Sequence, residues 1–135
     1  MCTSVKSQLT VLAVDDSIPV QRLIKRILEK HYQVIFANDT IQALAALHKH
    51  SIDLMLLDIS MPGMDGLELC RVLRGLPNFN HLPIVMLTSR NGARDEVEGR
   101  LSGATEYLTK PFSEEELLHT IGKILHQTVS LMSEF

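Results

Sequence analysis

The chain has 135 residues, of which 45% are hydrophobic and 21% charged, so its length and composition predict one globular domain with a substantial core. A net charge of −3 without a basic run argues against a nucleic-acid partner, because phosphate binding depends on clustered Lys and Arg. No apolar run approaches the roughly 20 residues of a membrane span, which argues against a membrane partner. Residues 1–8 are expected to form a flexible N-terminal tail without signal features, so we expect a cytoplasmic protein.

Short apolar runs alternate with helical patterns along the chain, which is typical of an α/β fold with helices on both faces of a parallel sheet. The first helix is expected to begin at Asp16 or Ser17, with Pro19 in its first turn. The apolar positions expected to be buried in this helix are Val20, Leu23, Ile24, Ile27 and Leu28. The predicted strands lie near 9–14, 33–37, 53–57, 83–87 and 104–108.

The remaining helices follow from their caps and from their apolar spacing. A second helix should follow Asp39, a third should run from about Asp65 to Arg74, and a fourth is predicted within 93–102. A capping box from Ser113 to Glu116 predicts the start of the last helix. Its apolar stripe comprises Leu117, Leu118, Ile121, Ile124 and Leu125. Residues 129–135 are expected to form either an extension of this helix or a tail.

Three acidic residues follow apolar runs that are predicted to be strands. Asp15 and Asp16 come after the first run, and Asp58 comes after the third. The carboxyl ends of parallel strands share one edge of a sheet, so we expect these carboxylates to converge. At about 4 Å and an effective dielectric near 20, two such charges repel by roughly 4 kcal/mol, which calls for a cation or a proton. Oxygen ligands favour Mg²⁺ over zinc at this site.

Four motifs follow one another along almost the whole chain, and the first two contain these acidic residues. The motifs are V-D-D-S at 14–17, L-L-D-I-S-M-P-G-M-D-G at 56–66, M-L-T-S at 86–89, and Y-L-T-K-P-F at 107–112. With these motifs the chain resembles a receiver domain of bacterial two-component signalling, similar to the chemotaxis-type single-domain response regulators. The resemblance implies a receiver domain over 9–128 and a doubly wound, flavodoxin-like (βα)5 fold. It also implies five parallel strands in the order 2-1-3-4-5.

The resemblance assigns Asp58 as the phosphoacceptor. It implies a magnesium or manganese ion held by Asp15, Asp16, Asp58 and the backbone carbonyl of Ser60. Lys110 and Thr88 come at the ends of the last two predicted strands, so both side chains can reach the same edge. The lysine is expected to pair with Asp58 at rest and with the phosphoryl group afterwards, and the Thr88 hydroxyl is expected to bond a phosphoryl oxygen.

Further roles follow from the same resemblance. The Lys110–Pro111 peptide bond is expected to be cis. Thr88 and Tyr107 are interpreted as a switch pair, in which Tyr107 turns inward after Thr88 moves toward the phosphoryl group. Ser60, Ser89 and Arg90 occupy variable positions that are expected to tune access to the phosphoryl group and its hydrolysis.

The sequence therefore predicts a signalling module, not a metabolic enzyme, that receives its phosphoryl group from a sensor histidine kinase or a histidine phosphotransfer protein. The switched surface is expected to comprise the fourth helix, the last strand and the last helix, and to bind an output protein that the sequence does not name. A monomer or weak homodimer is expected, with chemotaxis or motility as the favoured pathway. Two alternatives are a phosphorylation-independent binding module and an aspartyl-phosphate phosphohydrolase. The second would have an Asp where Ser60 stands.

Overall fold

Five parallel strands form one sheet in the computed structural model, which describes residues 8–60, 66–88 and 103–133, with side chains up to residue 126. The strands are β1 (Thr10–Val14), β2 (Gln33–Ala37), β3 (Leu54–Asp58), β4 (Ile84–Thr88) and β5 (Glu106–Thr109). Their order in the sheet is β2-β1-β3-β4-β5, and every neighbouring pair is parallel. This order confirms the fold that the sequence resemblance implied.

The helices of the described segments cover both faces of this sheet. They are α1 (Ile18–Leu28), α2 (Thr40–Lys49), α3 (Gly66–Arg74) and α4 (Glu114–Ser133). Buried residues of α1 and α4 share one core cluster, whereas those of α2 and α3 share the other. Every residue of β1, β3 and β4 is buried, because alternate side chains enter the two clusters. The central strands are therefore enclosed on both faces, and their C-terminal ends open onto one edge.

The helix starts agree with the caps seen in the sequence. The Ser17 hydroxyl accepts a hydrogen bond from the Val20 N–H at 3.4 Å, and α1 begins directly after this cap. At α4, the Ser113 hydroxyl accepts from the Glu116 N–H and the Glu116 carboxylate accepts from the Ser113 N–H, both at 3.0 Å. The expected burial of α1 holds for Ile24, Ile27 and Leu28. The remaining two positions, Val20 and Leu23, are half-buried.

Four of the five strands begin later than predicted: β1, β3 and β4 by one residue and β5 by two. β3 covers 54–58, where 53–57 was expected, and β5 covers 106–109, where 104–108 was expected. The residue that directly precedes β3 and the residue that directly precedes β5 each accept a hydrogen bond, through their side chains, from the backbone of a neighbouring strand. The Asp53 carboxylate accepts from the Thr10 N–H at 2.8 Å, and the Thr105 hydroxyl accepts from the Ile84 N–H at 3.0 Å. The shift makes Asp58 the last residue of β3 and places Lys110 directly after β5.

Several predicted features lie outside the described residues. They are the N-terminal tail up to residue 7, the helix within 93–102, Ser89 and Arg90. The backbone of α4 continues to Ser133, beyond the residues whose side chains are described. Within the described parts of the chain, no helix combines the length and the apolar character that crossing a membrane requires.

Candidate functional site

The acidic residues meet at the C-terminal edge of the sheet. Asp15 follows β1 and Asp58 ends β3, and these neighbouring strands pair in register up to Val14 and Leu57. Asp15 is 0% exposed and Asp58 is 3% exposed, whereas Asp16 is exposed to solvent. The three residues offer carboxylate oxygens that all lie within 4.8 Å of one another. The predicted convergence of the three carboxylates is therefore present in the structure.

The first turn of α1 holds the Asp15 carboxylate in place. Its Oδ1 atom accepts a hydrogen bond from the Ser17 N–H at 2.9 Å. Its backbone carbonyl accepts from the Gln21 side-chain amide at 2.6 Å, and its N–H donates to the Ala37 carbonyl at 3.0 Å. Because Ser17 is also the cap of α1, the start of the helix and the orientation of the carboxylate depend on each other.

Lys110 bridges the two buried carboxylates. Its Nζ atom lies 2.9 Å from Asp15 Oδ2 and 3.0 Å from Asp58 Oδ2. The Lys110 N–H donates to the Thr88 carbonyl at 2.7 Å, and the Lys110–Pro111 peptide bond is cis. The contact with Asp58 was expected from the sequence. The contact with Asp15 was not, because no local pattern relates residues that are 95 positions apart.

Burial and charge act in opposite directions on these groups. Burial raises the pKa of the Asp15 carboxyl, and the nearby Asp58 charge adds to this, although the Lys110 ammonium and the Ser17 N–H oppose it. Burial alone would lower the pKa of the Lys110 ammonium. The hydrogen bonds and charges of Asp15 and Asp58 outweigh this burial, so the pKa of Lys110 is raised. Lys110 is therefore held in its charged form as the counterion of this site.

Ser60 and Thr88 complete the surroundings of Asp58. The Ser60 N–H and hydroxyl both donate to Asp58 Oδ1, at 2.9 and 2.6 Å, while Lys110 bonds the other oxygen. Both carboxylate oxygens of Asp58 are thus oriented by donors. Thr88 ends β4, which lies beside β3, and it is 3% exposed. A ligand role for the Ser60 carbonyl stays a prediction, since the contacts of Ser60 with Asp58 use its N–H and hydroxyl.

Tyr107 lies on β5, three residues before Lys110 and opposite Met86 of β4. It is half-buried and packs against the core cluster shared with α2 and α3. Its hydroxyl oxygen is enclosed by protein atoms. The side chain is therefore turned toward the protein, next to the strand that ends in Thr88.

The donor set fits a hard divalent cation. Three carboxylates within 4.8 Å of one another supply oxygen ligands, which Mg²⁺ and Mn²⁺ prefer, and the exposure of Asp16 leaves room for water ligands. Asp58 is thus a carboxylate with fixed oxygens, beside an ammonium group and a potential cation site. Such an arrangement suits attack on an electrophile that carries negative charge, because the surroundings neutralise the charge of both groups.

Comparisons with known proteins agree with this geometry. The sequence model of the response regulator receiver domain matches residues 11–122. Response regulator MprA of Mycobacterium leprae is 42% identical over 87% of this chain, and the chain spans about half (51%) of that protein's length. Protein PilG of Pseudomonas aeruginosa is 39% identical, with 84% of each chain covered.

A solved structure shows the same likeness in three dimensions. Chemotaxis response regulator CheY4 of Vibrio cholerae is 36% identical and superposes with a TM-score of 0.81 over 87% of this chain and 99% of that chain. The sheet order, the converging carboxylates and these matches all lead to one assignment. The chain belongs to the response regulator receiver domain family of two-component signalling.

Proposed function

We propose that Asp58 accepts a phosphoryl group from a sensor histidine kinase or a histidine phosphotransfer protein. The observation that carries this proposal is the Lys110 bridge, in which one ammonium lies within 3.0 Å of both Asp58 and Asp15. A bridge of this kind holds a buried nucleophile in a fixed orientation and partly neutralises it. Positioning and charge neutralisation are the main contributions that a protein makes to phosphoryl transfer.

In the proposed reaction, an oxygen of Asp58 attacks the phosphorus atom of a phosphohistidine. The new P–O bond forms as the P–N bond breaks, and the electron pair of the broken bond returns to the imidazole, which takes up a proton. The Lys110 ammonium exchanges its contact with the Asp58 carboxylate for one with the phosphoryl oxygens, and the Thr88 hydroxyl donates to one of these oxygens. Mg²⁺ or Mn²⁺, bound by Asp15, Asp16, Asp58 and the Ser60 carbonyl, would supply further charge neutralisation.

The phosphorylated form is proposed to act through an altered binding surface. Tyr107 already has its hydroxyl enclosed by protein, and movement of Thr88 toward the phosphoryl group would free space for it to move further inward. This movement would shift the surface formed by β5, α4 and the predicted helix within 93–102. Tyr107 and Thr88 lie on neighbouring strands, which supports this coupling. Ser60, Ser89 and Arg90 are proposed to tune the lifetime of the phosphoryl group.

The protein is proposed to be a cytoplasmic signalling module, either a monomer or a weak homodimer. It would catalyse its own phosphorylation and dephosphorylation and would not turn over a metabolite. Chemotaxis or motility is the proposed pathway. It is supported by the likeness to the chemotaxis response regulator CheY4, which is 36% identical to this chain. The output protein would bind the β5 and α4 side of the domain, the side on which Lys123 and Glu106 form an ion pair at 2.9 Å.

Intact mass spectrometry tests the phosphoacceptor directly. The protein is incubated with acetyl phosphate or phosphoramidate and Mg²⁺, and we expect it to gain one phosphoryl group that is labile to base. The gain should be absent in Asp58→Asn and after chelation of the metal. Asp53→Asn removes a carboxylate directly before the first residue of β3, the strand that ends in Asp58, and this variant should still gain the phosphoryl group. If neither small-molecule donor nor a panel of histidine kinases modifies the wild type, the proposal is wrong and a phosphorylation-independent binding module becomes the better explanation.

A further inference from the structure

The guanidinium of Arg74 joins three segments of the chain far from the acidic site. Arg74 is the last residue of α3 and is half-buried. Its Nε donates to the Gly103 carbonyl at 2.8 Å, and its Nη1 donates to the carbonyls of Leu82 at 2.7 Å and Phe79 at 3.2 Å. Its Nη2 lies 3.4 Å from the Thr105 hydroxyl. Among the described residues, all four acceptors of this charged side chain are neutral oxygens, and three of them are backbone carbonyls.

Gly103 has the conformation and the small size that this contact requires. Its φ of +101° lies in the left-handed region, which favours glycine. A Cβ atom at this position would lie only 2.8 Å from Arg74 Cγ. The segment that enters β5 therefore passes directly over the stem of the arginine, and its backbone carbonyl is held by the arginine head group.

The contact is continuous with the pairing of β4 and β5. Thr105 donates its N–H to the Ile84 carbonyl at 2.8 Å, and its hydroxyl accepts from the Ile84 N–H at 3.0 Å. β5 is a strand of four residues at the edge of the sheet, so only β4 supports it laterally. At its other end, the Lys110 N–H donates to the Thr88 carbonyl. This short edge strand is thus fixed at its start by Arg74 and at its end by Thr88.

We propose that Arg74 is a positioning residue for Lys110. By fixing the entry to β5, it sets the place of the strand against β4 and keeps the Lys110 ammonium between Asp15 and Asp58. The two ends of this connection are five residues apart from Thr105 to Lys110, about 17 Å along an extended strand. A planar guanidinium suits the role because it holds several carbonyls at fixed angles, which a single ammonium does not. The functional part of this inference rests on the phosphoryl transfer proposed for Asp58.

Hydrogen exchange of the intact chain tests the positioning without any phosphodonor. In Arg74→Ala, we expect the amides of Thr105 and Lys110 to exchange at least about tenfold faster, while amides of β1 and β3 keep their protection. Arg71→Ala is the matched control, because Arg71 lies three residues earlier on α3 with a half-exposed side chain that contacts Glu68 at 3.5 Å. This control should exchange as the wild type does. Unchanged β5 exchange in Arg74→Ala, or equal acceleration in every strand, would overturn the proposal.

The rate of phosphorylation by acetyl phosphate tests the effect on Lys110. Displacement of a catalytic group by about 1 Å can cost up to roughly 100-fold, so we expect Arg74→Ala to be slowed about tenfold or more and Arg71→Ala to match the wild type. Faster β5 exchange with an unchanged rate would overturn the role of Arg74 in placing Lys110. If Arg74→Ala does not fold, Arg74→Lys replaces it. Arg74→Lys keeps the charge without the planar fork, and it should show the same local effects in weaker form.

The two measurements separate failure of this inference from failure of the proposed function. A wild type that accepts no phosphoryl group would contradict the phosphoacceptor role of Asp58. The exchange of β5 amides would still decide whether Arg74 holds the strand, and the side-chain ammonium signal of Lys110 in NMR spectra would report its placement. An ammonium signal that is the same in Arg74→Ala and in the wild type would overturn the proposal.

Discussion

Asp15 has a carboxylate with no solvent exposure, beside a second carboxylate and a single ammonium group. Burial and the charge of Asp58 both disfavour the ionised form of Asp15, whereas Lys110 and the Ser17 N–H favour it. The first two effects are the larger, so the pKa of Asp15 is raised. A group whose pKa is higher in the folded protein than in the unfolded chain reduces stability wherever it is ionised. Where it is ionised, this carboxylate of the candidate site therefore lowers the stability of the fold.

Asp15→Asn should be more stable than the wild type at neutral pH without added metal, by about 1 kcal/mol, because it removes this buried charge. The difference should be largest above the raised pKa of Asp15. It should disappear as the pH falls through that value toward the ordinary 3.8, where the wild-type carboxyl is also neutral. Urea unfolding at a series of pH values measures both effects. A variant that is less stable than the wild type at neutral pH would show that the bond to Lys110 outweighs the cost of burial.

The sequence predicts single residues well where a motif identifies them and poorly where their partners are backbone atoms. The Lys110 contact with Asp58 was expected from the resemblance, whereas the second contact with Asp15 joins segments with no pattern in common. Arg74 was expected only as the end of a helix. Its acceptors include three backbone carbonyls, which every type of residue possesses, so no spacing in the sequence could indicate them.

At the scale of elements, local signals predict the first residue of a helix more accurately than the first residue of a strand. The capping box of α4 needs only residues three positions apart, Ser113 and Glu116, and it forms as expected. The starts of β3 and β5 depend on side chains of Asp53 and Thr105, which bond to other strands. Such bonds exist only after the sheet has assembled, so the apolar pattern alone misplaces these boundaries by one or two residues.

Gly122→Ala should stabilise the protein by about 0.5 to 1 kcal/mol, because alanine restricts the unfolded chain and favours the helix. Gly122 lies inside α4, and a Cβ atom there would meet no atom of the described residues within 4 Å, apart from its chain neighbours and the backbone of its own helix. Thermal unfolding of the variant and the wild type, at matched pH and salt, measures the difference.

Gly103→Ala is the control for this substitution. It makes the same chemical change at a positive φ and against Arg74 Cγ, so it should lower the midpoint of unfolding. An increase for both variants would contradict the environments that the structure gives these two glycines.

At the scale of the whole molecule, the two core clusters meet the same β4 and β5 strands that carry Thr88 and Tyr107. The proposed coupling from the end of β4 to β5 would thus pass through side chains that are neighbours in one sheet. The two helix layers were predicted from the alternation of strand and helix patterns, whereas the strand order came from the resemblance to receiver domains. The degree of burial of the individual strands was not predicted. The apolar run of β2 resembles a central strand, yet four of its five residues retain exposure at the edge of the sheet.

Tyr107→Ala should separate phosphorylation from its response. Asp58 and Lys110 are untouched, so acetyl phosphate should modify the variant within about twofold of the wild-type rate, as for a substitution away from the reacting groups. In the wild type, we expect phosphorylation to change hydrogen exchange in β5 and α4, and in Tyr107→Ala we expect this change to be lost. Tyr107→Phe keeps the ring and should respond. An undiminished response in Tyr107→Ala would show that the signal reaches this surface by another route.

The Lys110 bridge would also affect which kind of ion the acidic cluster favours. With its three carboxylates ionised, the cluster of Asp15, Asp16 and Asp58 holds three negative charges, and the tethered ammonium of Lys110 balances one of them. Two negative charges of the cluster then remain unbalanced by the ammonium. A sodium or potassium ion would balance only one of these two negative charges, whereas one divalent ion would balance both. Under the proposed function, the charge of Lys110 would therefore favour a divalent ion over a monovalent one without any contact between the lysine and the metal.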